Sequence, residues 1–97
     1  MTTAKFSLGQ VLATPGALEA LAAAGLNAEA LLARHLAGDW GDLDAEDKRL
    51  NDEAMLDGSR ILSAYTLNTG EKLWVITEAE DDEGYRASSV LLRPDEY

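Results

Sequence analysis

Apolar residues recur every three or four positions in the first half of the chain, which predicts amphipathic helices. Thr14-Pro15 is a favoured start for a first helix with its body over residues 17–24, and Gly25 is a favoured end. Asn27 can cap a second helix that runs to about Ala37. Because only Gly25-Leu26-Asn27 separates them, the two helices are expected to form an αα-hairpin.

The stretch from His35 to Asp42 is where the chain changes character. Gly38 is placed to end the second helix, and Asp42 or Asp44 can cap a third, charged helix that ends at Gly58. Trp40, between two glycines, is expected to fill the gap between helices and sheet, with its indole N–H bonded to a carbonyl oxygen. An exposed aromatic anchor for a partner is the alternative.

Residues after Gly58 alternate in polarity and are rich in β-formers. Arg60–Leu67 and Glu71–Thr77 are predicted to form an antiparallel hairpin through a three-residue loop that ends in Gly70, with Trp74 in the core. Residues 78–84 form an acidic loop, and a third strand covers 86–93 until Pro94 stops it. Residues 6–13 fit either a short helical turn or an extended segment that adds to the sheet, and we favour the second.

These elements predict one α+β domain over residues 1–97. About three N-terminal helices would pack on one face of a three- or four-stranded antiparallel sheet, formed mainly by the C-terminal half. The length of 97 residues supports a small but real core, and 46% hydrophobic with 27% charged residues is typical of a globular protein.

The composition limits the cellular compartment and the kinds of chemical site that the sequence allows. The chain has no cysteine, which excludes disulfides, thiolate metal sites and thiol catalysis and fits a reducing cytoplasm. No apolar run follows Met1-Thr2-Thr3-Ala4-Lys5, so a signal peptide is not expected, and no run approaches the ~18 residues that cross a bilayer.

The net charge of −10 is concentrated in two blocks. Residues 39–57 sum to −6 and residues 78–97 to −5, whereas residues 1–38 sum to zero and 58–77 to +1. Direct binding to nucleic acid is disfavoured, because it needs clustered Lys and Arg. A basic protein partner, imitation of a nucleic acid, or plain solubility are each compatible with this charge.

Nine stretches or positions, which together cover nearly the whole chain, carry a family resemblance: Leu8–Val11, Ala13–Leu18, Arg34-His35, Gly38–Gly41, Asp47, Asn51, Arg60–Tyr65, Leu73–Ala79, and Leu91-Leu92 through Pro94 to Tyr97. Their order resembles a family of small, uncharacterised bacterial proteins of plasmids and other mobile elements, of the "plasmid-related protein" type. The family has no established activity, so the resemblance implies a mobile-element context and no mechanism. The chain departs from the family pattern after Ala79, where the family usually has a short Asp-Arg-Ser turn followed by a pair of threonines. Here Glu80–Tyr85 is an acidic insertion, and Arg86 with Ser88-Ser89 are the nearest counterparts of that turn.

His35 is the only residue with an ordinary pKa near neutral pH and therefore the first candidate for catalysis. An enzymatic alternative, a small toxin-like ribonuclease or hydrolase, would use His35, Arg86, Ser63 and Tyr65. It requires His35 to be solvent-accessible within ~6–8 Å of an arginine. The structural alternative places His35 on the apolar face of the second helix as a hydrogen-bonded core residue.

The leading hypothesis is a non-enzymatic interaction or regulatory protein of mobile-element origin. It would bind a basic or nucleic-acid-binding protein through its acidic surface, and one form of it is an inhibitor that imitates nucleic acid. Recognition would be centred on the junction between the second and third helices, residues 35–42, and on Asp47 and Asn51. These two lie at i, i+4 of the third helix and could equally brace the preceding loop. No cofactor, metal or membrane contact is expected, and a homodimer through an exposed sheet edge is a further possibility. The candidate recognition residues are Asp39, Trp40, Asp42, Asp47 and Asn51.

Overall fold

The structure is a computed structural model that describes residues 5–97, so the expectation about a signal peptide lies largely outside the described residues. Three helices precede a three-stranded meander, and one short strand precedes the helices. The elements are β1 (Gln10–Ala13), α1 (Pro15–Ala24), α2 (Ala28–Leu36), α3 (Ala45–Asp57), β2 (Ile61–Thr66), β3 (Lys72–Thr77), β4 (Ser88–Leu92) and a 3-10 turn (Pro94–Glu96).

The four strands form one sheet in the order β1-β4-β3-β2. The α+β class and the β2–β3 hairpin are confirmed, but the sheet is mixed, because β1 runs parallel to β4. The prediction of a purely antiparallel sheet was wrong. An extended N-terminal segment was favoured, yet its direction depends on pairing Gln10 with Ser88, far along the chain, and local patterns carry no such information.

The helices begin and end at the residues that the sequence indicates. Thr14, Asn27 and Asp44 accept backbone N–H groups at the first turns of α1, α2 and α3. Gly25 and Gly58 end α1 and α3 in the left-handed conformation, with φ of 69° and 83°. Local capping chemistry therefore fixes the helical half of the fold.

The helices cover one face of the sheet. That face contributes alternate residues of β2, β3 and β4 and buries them completely or nearly so, including Tyr65, Leu73, Val75 and Leu91. Trp74 lies on the opposite face, half-buried against the ring of Tyr97 at 5.7 Å, so the prediction that it belongs to the core was wrong. Alternation separates the two faces of a strand but does not say which one the helices cover.

The β2 edge of the sheet is covered by side-chain and backbone groups from α3 and the junction. Asn51 of α3 donates from Nδ2 to the carbonyl oxygen of Leu62 at 2.6 Å and accepts the Leu62 N–H at 3.2 Å. The Ala64 N–H donates to the Trp40 carbonyl oxygen, and the Asp42 N–H donates to the Ala64 carbonyl oxygen. The Asn51 amide thus takes the place of a neighbouring strand.

No helix within residues 5–97 is by itself long and apolar enough to cross a membrane. Taken together, α1 and α2 meet that length and composition, but they meet at an angle of 99°.

Candidate functional site

The junction between α2 and α3 is a tightly bonded structural unit. Trp40 is buried against Phe6 and His35, and its indole Nε1 donates to a carboxylate oxygen of Asp52 at 3.0 Å. The prediction that Trp40 fills the gap is in accord with this packing, although its acceptor is a carboxylate and not a carbonyl. Gly41 has φ of +75°, and an added Cβ would lie 1.9 Å from the carbonyl oxygen of Ala64. Only glycine fits this position.

Asp39 and Asp42 are exposed, and the carboxylate of each accepts a hydrogen bond from another side chain. Asp39 accepts from Arg34 Nε at 2.7 Å, and that hydrogen bond holds the pKa of Asp39 below its ordinary value. The Tyr65 hydroxyl donates to the Asp39 carbonyl oxygen at 2.6 Å, and burial raises the pKa of Tyr65 to about 12. Asp42 accepts from the Thr66 hydroxyl at 2.6 Å. Tyr65 is therefore a neutral core residue that fastens the junction to the sheet.

His35 is fully buried and both of its ring nitrogens are engaged. Nδ1 lies 2.5 Å from the Ser63 hydroxyl, and Nε2 lies 2.9 Å from the Thr77 hydroxyl. Thr77 in turn lies 2.6 Å from the Ser89 hydroxyl, which donates to the carbonyl oxygen of Leu8 at 2.8 Å. The chain of groups joins α2 to β2, β3, β4 and the segment before β1.

The last acceptor in this chain fixes the direction of every proton. A carbonyl oxygen can only accept a hydrogen bond, so the Ser89 hydroxyl donates its proton to the Leu8 carbonyl oxygen. The Ser89 oxygen must then accept the hydrogen bond from the Thr77 hydroxyl. Thr77 then accepts from His35 Nε2–H, which leaves Nδ1 as the acceptor of the Ser63 proton. His35 is consequently the neutral Nε2–H tautomer, and each side-chain polar group in this series of hydrogen bonds has a partner.

The surroundings of His35 oppose its protonation. Burial, followed by the nearby positive charge of Arg86, lowers the pKa of His35 to about 4. The enzymatic alternative required a solvent-accessible His35, and this condition is not met. The geometry matches the structural alternative, in which His35 is a hydrogen-bonded core residue.

Arg86, the proposed cationic partner of His35, is also buried. Its guanidinium donates to three carbonyl oxygens, those of Ser59 at 2.8 Å, Glu78 at 2.9 Å and Ala54 at 3.1 Å. Glu80 lies 3.7 Å away as a half-exposed carboxylate partner. With its donors directed at backbone, Arg86 joins the end of α3 to the base of the β3–β4 connection.

Asp47 and Asn51 line a cleft of about 280 Å³ between α3 and β2. Asn51 braces the edge of β2, so its role is closer to the bracing alternative than to recognition. Asp47 is exposed at the cleft, whose other walls are Leu43, Leu50, Arg60 and Leu62. The cleft is smaller than most ligand sites, which occupy ~300–1,000 Å³, and it is about the size of one large side chain.

The two acidic blocks meet in space. The Glu80 N–H bonds to the Gly58 carbonyl oxygen at 2.8 Å, and Arg86 bridges both segments from beneath. We call residues 39–59 and 78–86 the acidic surface. It holds thirteen carboxylates, all on exposed residues, against Lys48, Arg49 and the buried Arg86. The remaining residues carry five acids and five bases, so these two segments account for the whole net charge of −10, with Arg34 paired to Asp39 and Arg60 beside Asp47 at their border.

Some of the bonded groups were missed by sequence reasoning. Thr77 and Ser89 complete the His35 chain, and Asp52 receives the Trp40 indole. A signal for the first two existed, because Ser63, Thr77 and Ser89 are polar residues at positions that alternation assigns to the buried face. Three hydroxyls on a buried face call for a polar partner in the helices, and His35 is that partner.

Within the described part of the chain, no group of three His, Asp or Glu side chains is arranged to hold a metal ion. Comparisons of the chain with protein-family models, with curated proteins and with solved structures gave no match.

Proposed function

We propose that this protein is a non-enzymatic interaction protein that binds a basic protein partner through the acidic surface. The observation that carries the proposal is the location of the entire net charge in two segments that pack against each other. A field of one sign over one region attracts and orients an oppositely charged partner over distances comparable with the Debye length of ~8–10 Å.

The acidic surface also offers apolar contacts. In α3 only Asn51 and Ala54 are buried, so most of this helix faces solvent. Leu56 is 90% exposed among the carboxylates, and Tyr85 in the β3–β4 connection is 67% exposed. Protein interfaces combine a few large apolar or aromatic anchors with charged groups that orient the partner. Leu56 and Tyr85 are the proposed anchors.

Ion pairs and backbone hydrogen bonds hold several carboxylates of the acidic surface. Arg49 forms ion pairs with Glu46 and Glu53 along α3. In the β3–β4 connection, Asp81 accepts the backbone N–H groups of Glu83 and Tyr85, and these bonds hold the pKa of Asp81 below its ordinary value. Ordered carboxylates lose little conformational entropy when a partner binds.

One form of this function is an inhibitor that imitates nucleic acid, whose target would be a nucleic-acid-binding protein. The resemblance to mobile-element proteins supplies a context for such a role, and the absence of cysteine fits a cytoplasmic location. The buried, neutral His35 gives no support to the enzymatic alternative.

The experiment is a pull-down from cell extract with a charge-reversed variant and a matched control. The variant Asp82→Lys with Glu83→Lys alters the acidic surface, and Glu19→Lys with Glu29→Lys makes the same change in charge on α1 and α2. Captured protein should be basic, should be lost between about 50 mM and about 500 mM salt, and should be released by added double-stranded DNA if imitation operates. The first variant should lose the partner and the control should retain it.

Two results would contradict the proposal. The first is the absence of any salt-sensitive partner. The second is equal loss of binding in both variants, which would show that binding depends on the total charge of the protein and not on the acidic surface.

A further inference from the structure

The strand β1 leaves one side of its backbone without a partner in the part of the chain that the structure describes. The Gln10 N–H bonds to the Ala87 carbonyl oxygen and the Thr14 N–H to the Leu91 carbonyl oxygen, both at 3.0 Å. Backbone groups of successive strand residues point to opposite sides, so Val11 directs its N–H and C=O away from the sheet, as does Ala13. Such a row of donors and acceptors is a template for another strand.

The side chains of β1 do not protect this edge. Val11 is 42% exposed on the helix-covered face, and Leu12 is 45% exposed on the other face. Edge strands that remain in solvent usually carry a lysine, a proline or a bulge. The four residues of β1, Gln10–Ala13, include none of these.

We propose that β1 pairs antiparallel with β1 of a second copy of this chain, which joins two four-stranded sheets into one of eight strands. A two-fold axis at Leu12 sets Val11 opposite Ala13 of the second copy and Ala13 opposite Val11 of the second copy. Each of these pairs exchanges two hydrogen bonds, so the contact closes four outward donors and four outward acceptors. The two Leu12 side chains face each other on the axis and shield one another from water.

The charge distribution favours this edge over other surfaces. Two copies that each carry −10 repel, and the repulsion is weakest where their acidic surfaces are farthest apart. The sheet order puts β1 at the edge opposite β2, against which α3 packs. Residues 1–38 sum to zero charge, so β1 and the two helices that follow it add no net charge at this edge.

Hydrogen exchange at two protein concentrations tests the pairing directly. At high concentration the amides of Val11 and Ala13 should be protected together with those of Gln10 and Leu12. Dilution should release Val11 and Ala13 only, because Gln10 and Leu12 remain bonded to β4. Equal exchange of Val11 at both concentrations, with a mass of 10.4 kDa in sedimentation equilibrium up to about 1 mM protein, would overturn the proposal.

Variants identify the edge that is used. Wild-type protein should sediment at twice 10.4 kDa, and Val11→Pro should sediment as a monomer, because it removes an outward N–H without touching the bonds to β4. Leu12→Lys, which places two charges on the axis, should give the same result if the proline variant fails to fold. Leu56→Lys, an equal change at an exposed leucine of α3, should remain dimeric. Loss of the dimer in Leu56→Lys and not in Leu12→Lys would place the contact elsewhere and refute the inference.

Discussion

Acidification should destabilise the protein through His35 well before its carboxylates are neutralised. In the unfolded chain His35 takes up a proton near its ordinary pKa of 6.5, whereas in the folded protein it does so only near 4. Between these values the unfolded state binds more protons, so the free energy of unfolding falls as the pH falls through this window. At 1.36 kcal/mol per pKa unit, the loss is about 2 kcal/mol by pH 5 and about 3 kcal/mol by pH 4.

The assay is urea unfolding at a series of pH values for wild type and for His35→Gln. Glutamine keeps an acceptor and a donor in the ring's position but does not titrate. All eighteen Asp and Glu residues are common to both proteins, so their titration cancels in the difference between the two free energies. That difference should fall steadily below about pH 6.5 and level off below about pH 4.

The single histidine makes an independent check possible. In the NMR spectrum of the folded protein, the His35 ring should keep the signature of the neutral Nε2–H tautomer at pH 5. A ring that titrates near 6.5 in the folded state, or a free-energy difference that stays constant to within about 0.5 kcal/mol from pH 7 to pH 4, would refute the argument from burial and from Arg86.

Further substitutions test the bonds that hold the site, each by urea unfolding. Gly41→Ala should lower the free energy of unfolding by about 3–4 kcal/mol, because the added methyl group clashes with the Ala64 carbonyl oxygen and the residue must also keep a left-handed φ. Gly70→Ala should lower it by about 1–2 kcal/mol, because this residue has φ of 91° but open space around it. Asn51→Ala should cost about 2–3 kcal/mol through two lost bonds to β2, and a loss below about 0.5 kcal/mol would contradict the bracing role. Arg86→Met should cost about 3 kcal/mol and raise the pKa of His35, measured on its ring resonance, and an unchanged pKa would exclude the electrostatic link.

The local parts of the fold could be predicted because neighbouring residues decide them. Thr14, Asn27 and Gly25 set helix ends through their own conformational preferences and side-chain bonds, and the loop ending in Gly70 sets the β2–β3 hairpin. The parallel pairing of β1 could not be predicted in this way. It joins Gln10 to Ser88, and no short pattern records a contact over that separation.

The candidate site shows the same limit. The spacing of α2 correctly put His35 on the helix face that meets the sheet, but the identity of its partners depends on three strands in register. Ser63, Thr77 and Ser89 lower the hydrophobicity of a buried face, and taken singly each weakens a strand assignment. Their partners become clear when the register brings Ser63 and Thr77 to the two nitrogens of one imidazole ring and Ser89 to Thr77.

The Asn51 amide at the β2 edge has a consequence for how far this sheet can grow. A sheet with two open edges can add copies without limit and polymerise into a fibre. Here one edge is occupied by a side chain that satisfies both backbone groups of Leu62. In the dimer proposed above, association through β1 would therefore stop at two copies, because the covered β2 edge lies at each end of the joined sheet. On this view Asn51→Ala reopens a growing end, and its first visible effect would be turbidity or thioflavin binding on storage of concentrated protein.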